Sequence, residues 1–384
     1  PTIPFRDIEL HERDDDLVGA SFGRGFYILD DYASLRDISK AVEEKANTLF
    51  AVRDAWWYVP SVPLQAKGMP TLGSTNYVAD NPPFGAVFTY YINEIPKTAK
   101  QERQKSEKEN RKQNNDVPFP GWEDLRAESN EESPQVLLLV SDANGDPIRW
   151  LEGSSKKGVQ RTSWDLRLAA PNPITLSQPA FKPPWAGDPQ GPQAGSGDYS
   201  VQLFIEHNGS LEPQGNPQLF KVKPVPSVAP DTDVSDVAAF QKATSELKRQ
   251  VSVASSKISE AKERLRFIKE ALKQTPKVTT KHYKKWNELQ ESLAALGLRL
   301  TGDPIRQELN ESTTPSINSR IGQIIYGHWD TRQSPTQTFR NNLDIASTDF
   351  IQFESDLKKY LGVFEAFEAE LEKIGAPYTR GRKL

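Results

Sequence analysis

The sequence predicts a multidomain chain of mixed α+β class, with short strands near the amino terminus, a β-domain in the middle and a long antiparallel helical bundle at the end. Three observations carry this. Between residues 86 and 223 apolar residues alternate with polar ones over short runs, the period-2 signature of strands. From 237 to 374 they recur in three- and four-residue steps, the signature of long packed helices. Stretches rich in Pro, Gly and charge separate these segments, and 384 residues exceed the usual size of one domain.

The first element lies in residues 14–31, DDDLVGASFGRGFYILDD. Apolar strands at 17–20 and 26–29 flank the turn Ser21-Phe22-Gly23-Arg24-Gly25, whose glycines are free to take positive φ. A lone two-stranded hairpin is only marginally stable in water. Residues 1–33 are therefore expected to pack on the neighbouring domain or to lose order. Residues 34–83 read as a connector carrying Leu49-Phe50-Ala51-Val52 and Trp56-Trp57-Tyr58-Val59, then an irregular stretch rich in Pro, Gly and Ser. Trp56 and Trp57 are candidate ligand contacts, because aromatic faces stack on sugar rings. Packing against a neighbouring domain is the commoner task of such residues and is the preferred reading.

Residues 84–226 carry strand signals at 86–92, 135–140, 148–152, 161–167, 199–206 and 218–223. In the fifth, Tyr199, Val201, Leu203 and Ile205 point one way and Ser200, Gln202 and Glu206 the other, with Phe204 breaking the polar face. Asp142-Ala143-Asn144-Gly145-Asp146 and His207-Asn208-Gly209-Ser210 are hairpin turns of the Asn-Gly type. Strands and turns at this spacing suggest an immunoglobulin-like or fibronectin-like β-sandwich. It is interrupted at 97–115 by KTAKQERQKSEKENRKQNN, a charged insertion compatible with a solvated helix. A second insertion, 171–197, reads as an extended loop anchored by Trp185.

Residues 231–376 read as a four-helix bundle. One stripe runs through Val237, Phe240, Leu247, Val251, Ile258, Leu265 and Leu272, another through Phe339, Phe350, Phe353, Leu357, Phe364, Phe367 and Leu371. Shorter helices are marked by Trp286, Leu289, Leu293 and Leu296 and by Ile317, Ile321 and Ile324. Ser334 is expected to cap the last helix, with Pro335 at its first position and Gln337 completing a capping box, and Gly375 and Pro377 to end it. Residues 377–384 form a tail. These stripes read as core, and no second stripe marks the bundle as an adaptor surface.

The hairpin, with its GRGFYILDD ending, resembles the closing strands of the β-propeller in large bacterial proteins with BNR-type (Asp-box, sortilin- or sialidase-like) repeats, often labelled glycosyl hydrolases. The resemblance continues through Asn81-Pro82-Pro83-Phe84-Gly85-Ala86, Trp164-Asp165-Leu166-Arg167, Gly197-Asp198-Tyr199, Pro315-Ser316-Ile317 and Pro335-Thr336-Gln337-Thr338, nearly the whole chain. It implies that residues 1–33 are the last propeller strands, that the blades holding any catalytic site are absent, and that the parent protein is bacterial and exported. The implied role is a non-catalytic accessory region whose partner is the upstream propeller of the same protein, with a protein or glycan as ligand. The alternative is part of a glycoside hydrolase or peptidase whose site lies in the absent blades.

The residues themselves assign no chemistry. Without cysteine there are no disulfides, thiolate nucleophiles or cysteine-held metals. The histidines His11, His207, His282 and His328 form no HxxxH or HExxH pair, and His282 and His328 read as hydrogen-bonded residues of the bundle. Asp142 to Asp146 fails as a calcium loop, since Pro147 and Gly153 stand where its glycine and bidentate Glu belong. Ser21 and Ser141 lack a nucleophile elbow, and the glycines around Arg24 precede a strand, so no helix end faces a phosphate. No catalytic residue, cofactor or metal site is assigned. Arg24 is kept as a candidate interface residue, read as bridging blade edges, because nothing here matches the arginine triad and Tyr/Glu pair of sialidases. A net charge of −4 with acidic residues interleaved in the basic insertion argues against nucleic acid. No run approaches the ~20 apolar residues of a membrane span. Pro1 opens no start-like segment and Met69 is the only methionine, so the native start is expected upstream and a missing signal peptide says nothing about export.

Overall fold

A computed structural model describes residues 2–60, 79, 81–177, 181–183, 186–225 and 233–382. Within them the chain is mixed α and β, with eight α-helices and three sheets. It divides into two compact units, 1–168 with 194–230, and 169–193 with 231–384.

The first unit opens with an antiparallel meander of β1 (Phe5–His11), β2 (Asp16–Ser21) and β3 (Phe26–Leu29). The expected lone hairpin is thus β2 and β3, and β1 adds a third strand. Its apolar Ile8 and Leu10 are hidden in sequence by the charged residues around them. A short 3-10 turn (Ala33–Arg36) and α1 (Ile38–Glu44) follow.

Next come β4 (Thr48–Leu49), β5 (Ala55–Trp57), β6 (Ala86–Ile92), β7 (Gln135–Asp142), β8 (Pro147–Gly153), β9 (Gly158–Trp164), β10 (Gly197–His207) and β11 (Ser210–Pro224). They form a five-stranded sheet in the order β5-β11-β10-β7-β8 and a three-stranded sheet in the order β4-β6-β9. The segment read as a connector therefore supplies a strand to each sheet, and β5 pairs parallel with β11 in an otherwise antiparallel sheet. The two sheets share one core: Phe88 of β6 lies edge-on to Phe220 of β11, and Trp164 of β9 edge-on to Tyr199 of β10. Tyr199, Val201, Leu203 and Ile205 are buried together, and Phe204 on the opposite face of β10 meets Trp150 of β8. Asn208 and Gly209 both take positive φ in the two-residue turn between His207 and Ser210, the type I′ geometry that suits hairpin twist.

The charged insertion forms α2 (Ala99–Lys112), which with α3 (Trp122–Asn130) makes a pair that buries no residue. Arg103 holds the two together, donating to Glu128 at 2.7 and 2.8 Å.

The second unit is helical: α4 (Val234–Gln274), α5 (Thr280–Thr301), α6 (Pro304–Glu308), α7 (Ile317–His328) and α8 (Gln337–Lys373). The expected stripes meet in one core that includes Leu265, Ile268, Leu293, Leu300, Ile321, Phe353, Phe364 and Leu371. Arg264 pairs with the buried Glu368, joining α4 to α8. Thr336, and not Ser334, caps α8, its hydroxyl accepting from the Phe339 amide; Pro335 is buried one residue before the cap. At the other end Gly375 takes φ 78, and the amides of Gly375 and Ala376 donate back to Glu372 and Leu371, a Schellman closure. Trp185 lies outside the described residues.

Candidate functional site

The part of the first unit that is shaped for contact is the meander. In a sheet, successive side chains face opposite sides, so Phe26 and Ile28 of β3 lie on one face and Tyr27 and Leu29 on the other. All four are exposed, as are Phe5, Ile8 and Leu10 of β1 and Phe22 of the β2–β3 turn. Phe5 meets Tyr27 edge-on at 5.5 Å, and Arg6 lies 4.9 Å over the Phe22 ring. Packing within the sheet covers only part of these rings.

What positions the meander is a polar root. The β1–β2 turn carries Asp14 and Asp15, β2 opens at Asp16, and β3 runs out into Asp30 and Asp31; Asp15 and Asp31 both take positive φ. Arg53 donates to the Asp14 carbonyl at 2.6 Å and to the Asp16 carboxylate at 3.3 Å. Arg161 of β9 donates to the carbonyls of Asp30 and Asp31 at 2.9 and 2.7 Å, while its Nε donates to Thr89 of β6. The Asp31 amide donates to Asp16, and the Tyr32 amide to the Asp15 carbonyl. Burial raises the pKa of Asp31, against the opposing pull of Arg53 and Arg161.

His11, Asp14 and Asp16 bring potential ligand atoms within 4.8 Å of one another. One oxygen of each carboxylate is already engaged. Asp14 accepts two N–H groups from Arg13, at 2.9 and 2.7 Å, and this hydrogen bonding holds its carboxyl below the usual range. Asp16 accepts from the Asp31 amide and Arg53. The cluster is an ion-pair network that anchors the sheet. The spacing His11-x-x-Asp14-x-Asp16 was its only sequence signal.

The sequence candidates are not brought to one place. Arg24 is exposed in the β2–β3 turn and makes no hydrogen bond or ion pair among the described residues. Trp57 is buried in the core of the first unit, 1% exposed, whereas Trp56 on the opposite face of β5 is 40% exposed, alongside the equally exposed Tyr58. Asp142 accepts from the amides of Asn144 and Asp146 in an ordinary hairpin turn. His282 caps the start of α5 by accepting from the Thr279 amide and lies 3.5 Å from Glu370. His328 is buried, with Gln241 donating to its carbonyl and its Nε2 facing the Gln333 carbonyl at 3.0 Å. The two histidines do not meet.

No family model, curated protein or solved structure matches this chain.

Proposed function

We propose that this chain is a non-catalytic scaffold and interaction region of an exported bacterial β-propeller protein, in which the meander packs against upstream strands of the same protein. The observation that supports this reading is a sheet with large apolar side chains exposed on both faces and a root held by Arg53 and Arg161. A sheet with one covered face needs one apolar side; a sheet covered on both, as a propeller blade is by its neighbours, needs two. Three strands are also one fewer than a typical blade, leaving an edge on which another strand can pair. In the same reading the β5-β11-β10-β7-β8 and β4-β6-β9 sheets form an immunoglobulin- or fibronectin-like sandwich that carries the blade, with Trp56 and Arg24 as exposed contacts for a protein or glycan.

The test is the intact mass of the protein from its natural source, combined with hydrogen exchange of β1 and β3. The reading expects a polypeptide well above 43.1 kDa in which these amides are protected. A natural chain of that mass with rapidly exchanging amides in both strands overturns it. Turnover of a glycan or peptide by the natural protein, but not by these residues alone, selects the hydrolase alternative.

A further inference from the structure

In the helical unit, the last turn of α5 and the start of α7 meet the middle of α4 around a cavity of about 240 Å³. Its wall adds a polar side to the core residues Val251 and Leu300, where a bundle seam is expected to be apolar throughout. Lys248, Ser252, Ser255 and Ser256 of α4 line it, with Asn318 of α7 opposite and Pro173 at its margin.

Lys248 is the unusual member. Its ammonium donates to the Asn318 side chain at 2.9 Å. No carboxylate lies within ion-pairing distance of it among the described residues, and burial lowers its pKa with no charged neighbour acting on it. A half-buried ammonium without a counter-charge is unfavourable. Around it stand groups that donate without acceptors. Ser252 is 9% exposed, and its hydroxyl has no hydrogen-bond partner among the described residues; nor does that of Ser255. By contrast Ser256 donates to the Ser252 carbonyl. The α7 amino terminus supplies a further positive element: Ser316 caps the Ser319 amide, which leaves the amides of Ile317 and Asn318 without acceptors among the described residues. The amino-terminal end of a twelve-residue helix carries a partial positive charge that favours anions.

We propose that this cavity is a binding site for a small oxyanion, a phosphate group or a carboxylate, with Lys248 as its counter-charge and Ser252 and Ser255 as hydroxyl donors. The site is independent of the meander and of any propeller. Its volume exceeds the ~30 Å³ share of one water several-fold, so a phosphate-sized group fits with room for a small attached moiety.

Inorganic phosphate and acetate, titrated separately into the full chain by calorimetry, test this and tell the two sources apart. At least one is expected to bind saturably, one ion per chain, with Lys248→Met weakening binding about tenfold or more and Ser252→Ala severalfold. Lys358→Met, which removes an exposed lysine paired with Glu354, leaves affinity unchanged. Because Lys248→Met alters a packed seam, the unmutated chain carries a second readout: on anion addition the Lys248 side-chain NMR signal shifts and its apparent pKa rises. Binding that survives Lys248→Met, or the absence of saturable binding and of any Lys248 shift at tens of millimolar of either ion, overturns the proposal.

Discussion

Arg161 and Arg53 hold the meander by a mechanism that apolar packing does not supply. Arg161 reaches from the β4-β6-β9 sheet to two consecutive carbonyls of the chain leaving β3, so one side chain fixes both the position and the direction of the strand. Hydrogen bonds from charged donors contribute roughly 1.5–3 kcal/mol each when buried, and the exposure of this arginine reduces that. Arg161→Ala is expected to cost the local structure about 1–2 kcal/mol, seen as roughly tenfold faster proteolysis within residues 2–31 with the remaining digestion pattern unchanged. Equal cleavage rates in the two proteins refute the anchoring role. In the helical unit the corresponding residue is His328. Burial lowers its pKa, the Gln333 carbonyl and Asp236 oppose this and Arg340 adds to it, and its ring packs edge-on to Phe240 and Phe339. The unfolded state therefore binds the proton more tightly than the folded one. The stability that His328 contributes is fully present above its ordinary pKa of about 6.5 and declines as pH falls below it. Urea midpoints measured between pH 7.5 and 5 are expected to fall, and His328→Gln to flatten that slope; identical slopes count against the assignment.

At the scale of elements, what was legible in the sequence was whatever has a period. The stripe from Val237 to Leu272 became α4, the Phe-rich stripe became α8, and the alternation of Tyr199, Val201, Leu203 and Ile205 became the buried face of β10, because each pattern reports a single buried side. β1 stayed hidden because its alternation holds only two apolar residues, Ile8 and Leu10, among Asp7, Glu9 and His11, and every residue of the strand is exposed, so the pattern reports no buried side. β4 and β5 are two and three residues long, too short to show a period at all. The meander's root was illegible for another reason: carbonyls of Asp14, Asp30 and Asp31 are what the arginines bind, and a carbonyl has no letter in the sequence. The cap of α8 moved from Ser334 to Thr336 because both offer a hydroxyl and only the backbone decides which one meets a free amide. The α2–α3 pair gives the sharpest prediction at this scale. No residue of either helix is buried and the ion pair between them is Arg103 with Glu128, so replacing residues 99–130 by a short Gly/Ser turn removes almost no core. Thr98 and Glu131, whose carboxylate receives the Ala99 amide, mark the closely spaced ends. Surface changes of this kind stay within about 0.5 kcal/mol, or roughly 2 °C for a unit of this size. A drop beyond about 5 °C would show that the pair supports the β-domain.

At the scale of the whole molecule, the two units are stabilised by different kinds of contact, and this decides how the chain can be cut. Every residue of the helical core cluster lies between Leu247 and Ala376, so among the described residues none of the stretch 169–193, although grouped with the helices, belongs to that core. Residues 231–384 expressed alone are therefore expected to give a strongly helical circular dichroism spectrum and a cooperative melt, and restoring 169–193 to shift the midpoint by only a few degrees. The bundle's internal logic sets a second limit. α4 and α8 are about a hundred positions apart in sequence, yet Arg264 meets Glu368, and Phe350, Phe353, Phe364 and Phe367 of α8 fill the core that α4, α5 and α7 surround. Closing so long a loop costs entropy before any contact offsets it, and without α8 the stripes of α4 and α5 have no aromatic partner to exclude water. Large apolar side chains contribute about 3–5 kcal/mol each when truncated, so losing four of them costs about 12–20 kcal/mol, comparable to or above the 5–15 kcal/mol that holds an ordinary domain together. A fragment ending near residue 330 is thus expected to melt without a cooperative transition and to bind apolar dyes, whereas 231–384 does neither. If the shorter fragment melts as sharply as the longer one, α8 covers a core that the other helices complete by themselves, and the four-helix account of this unit fails.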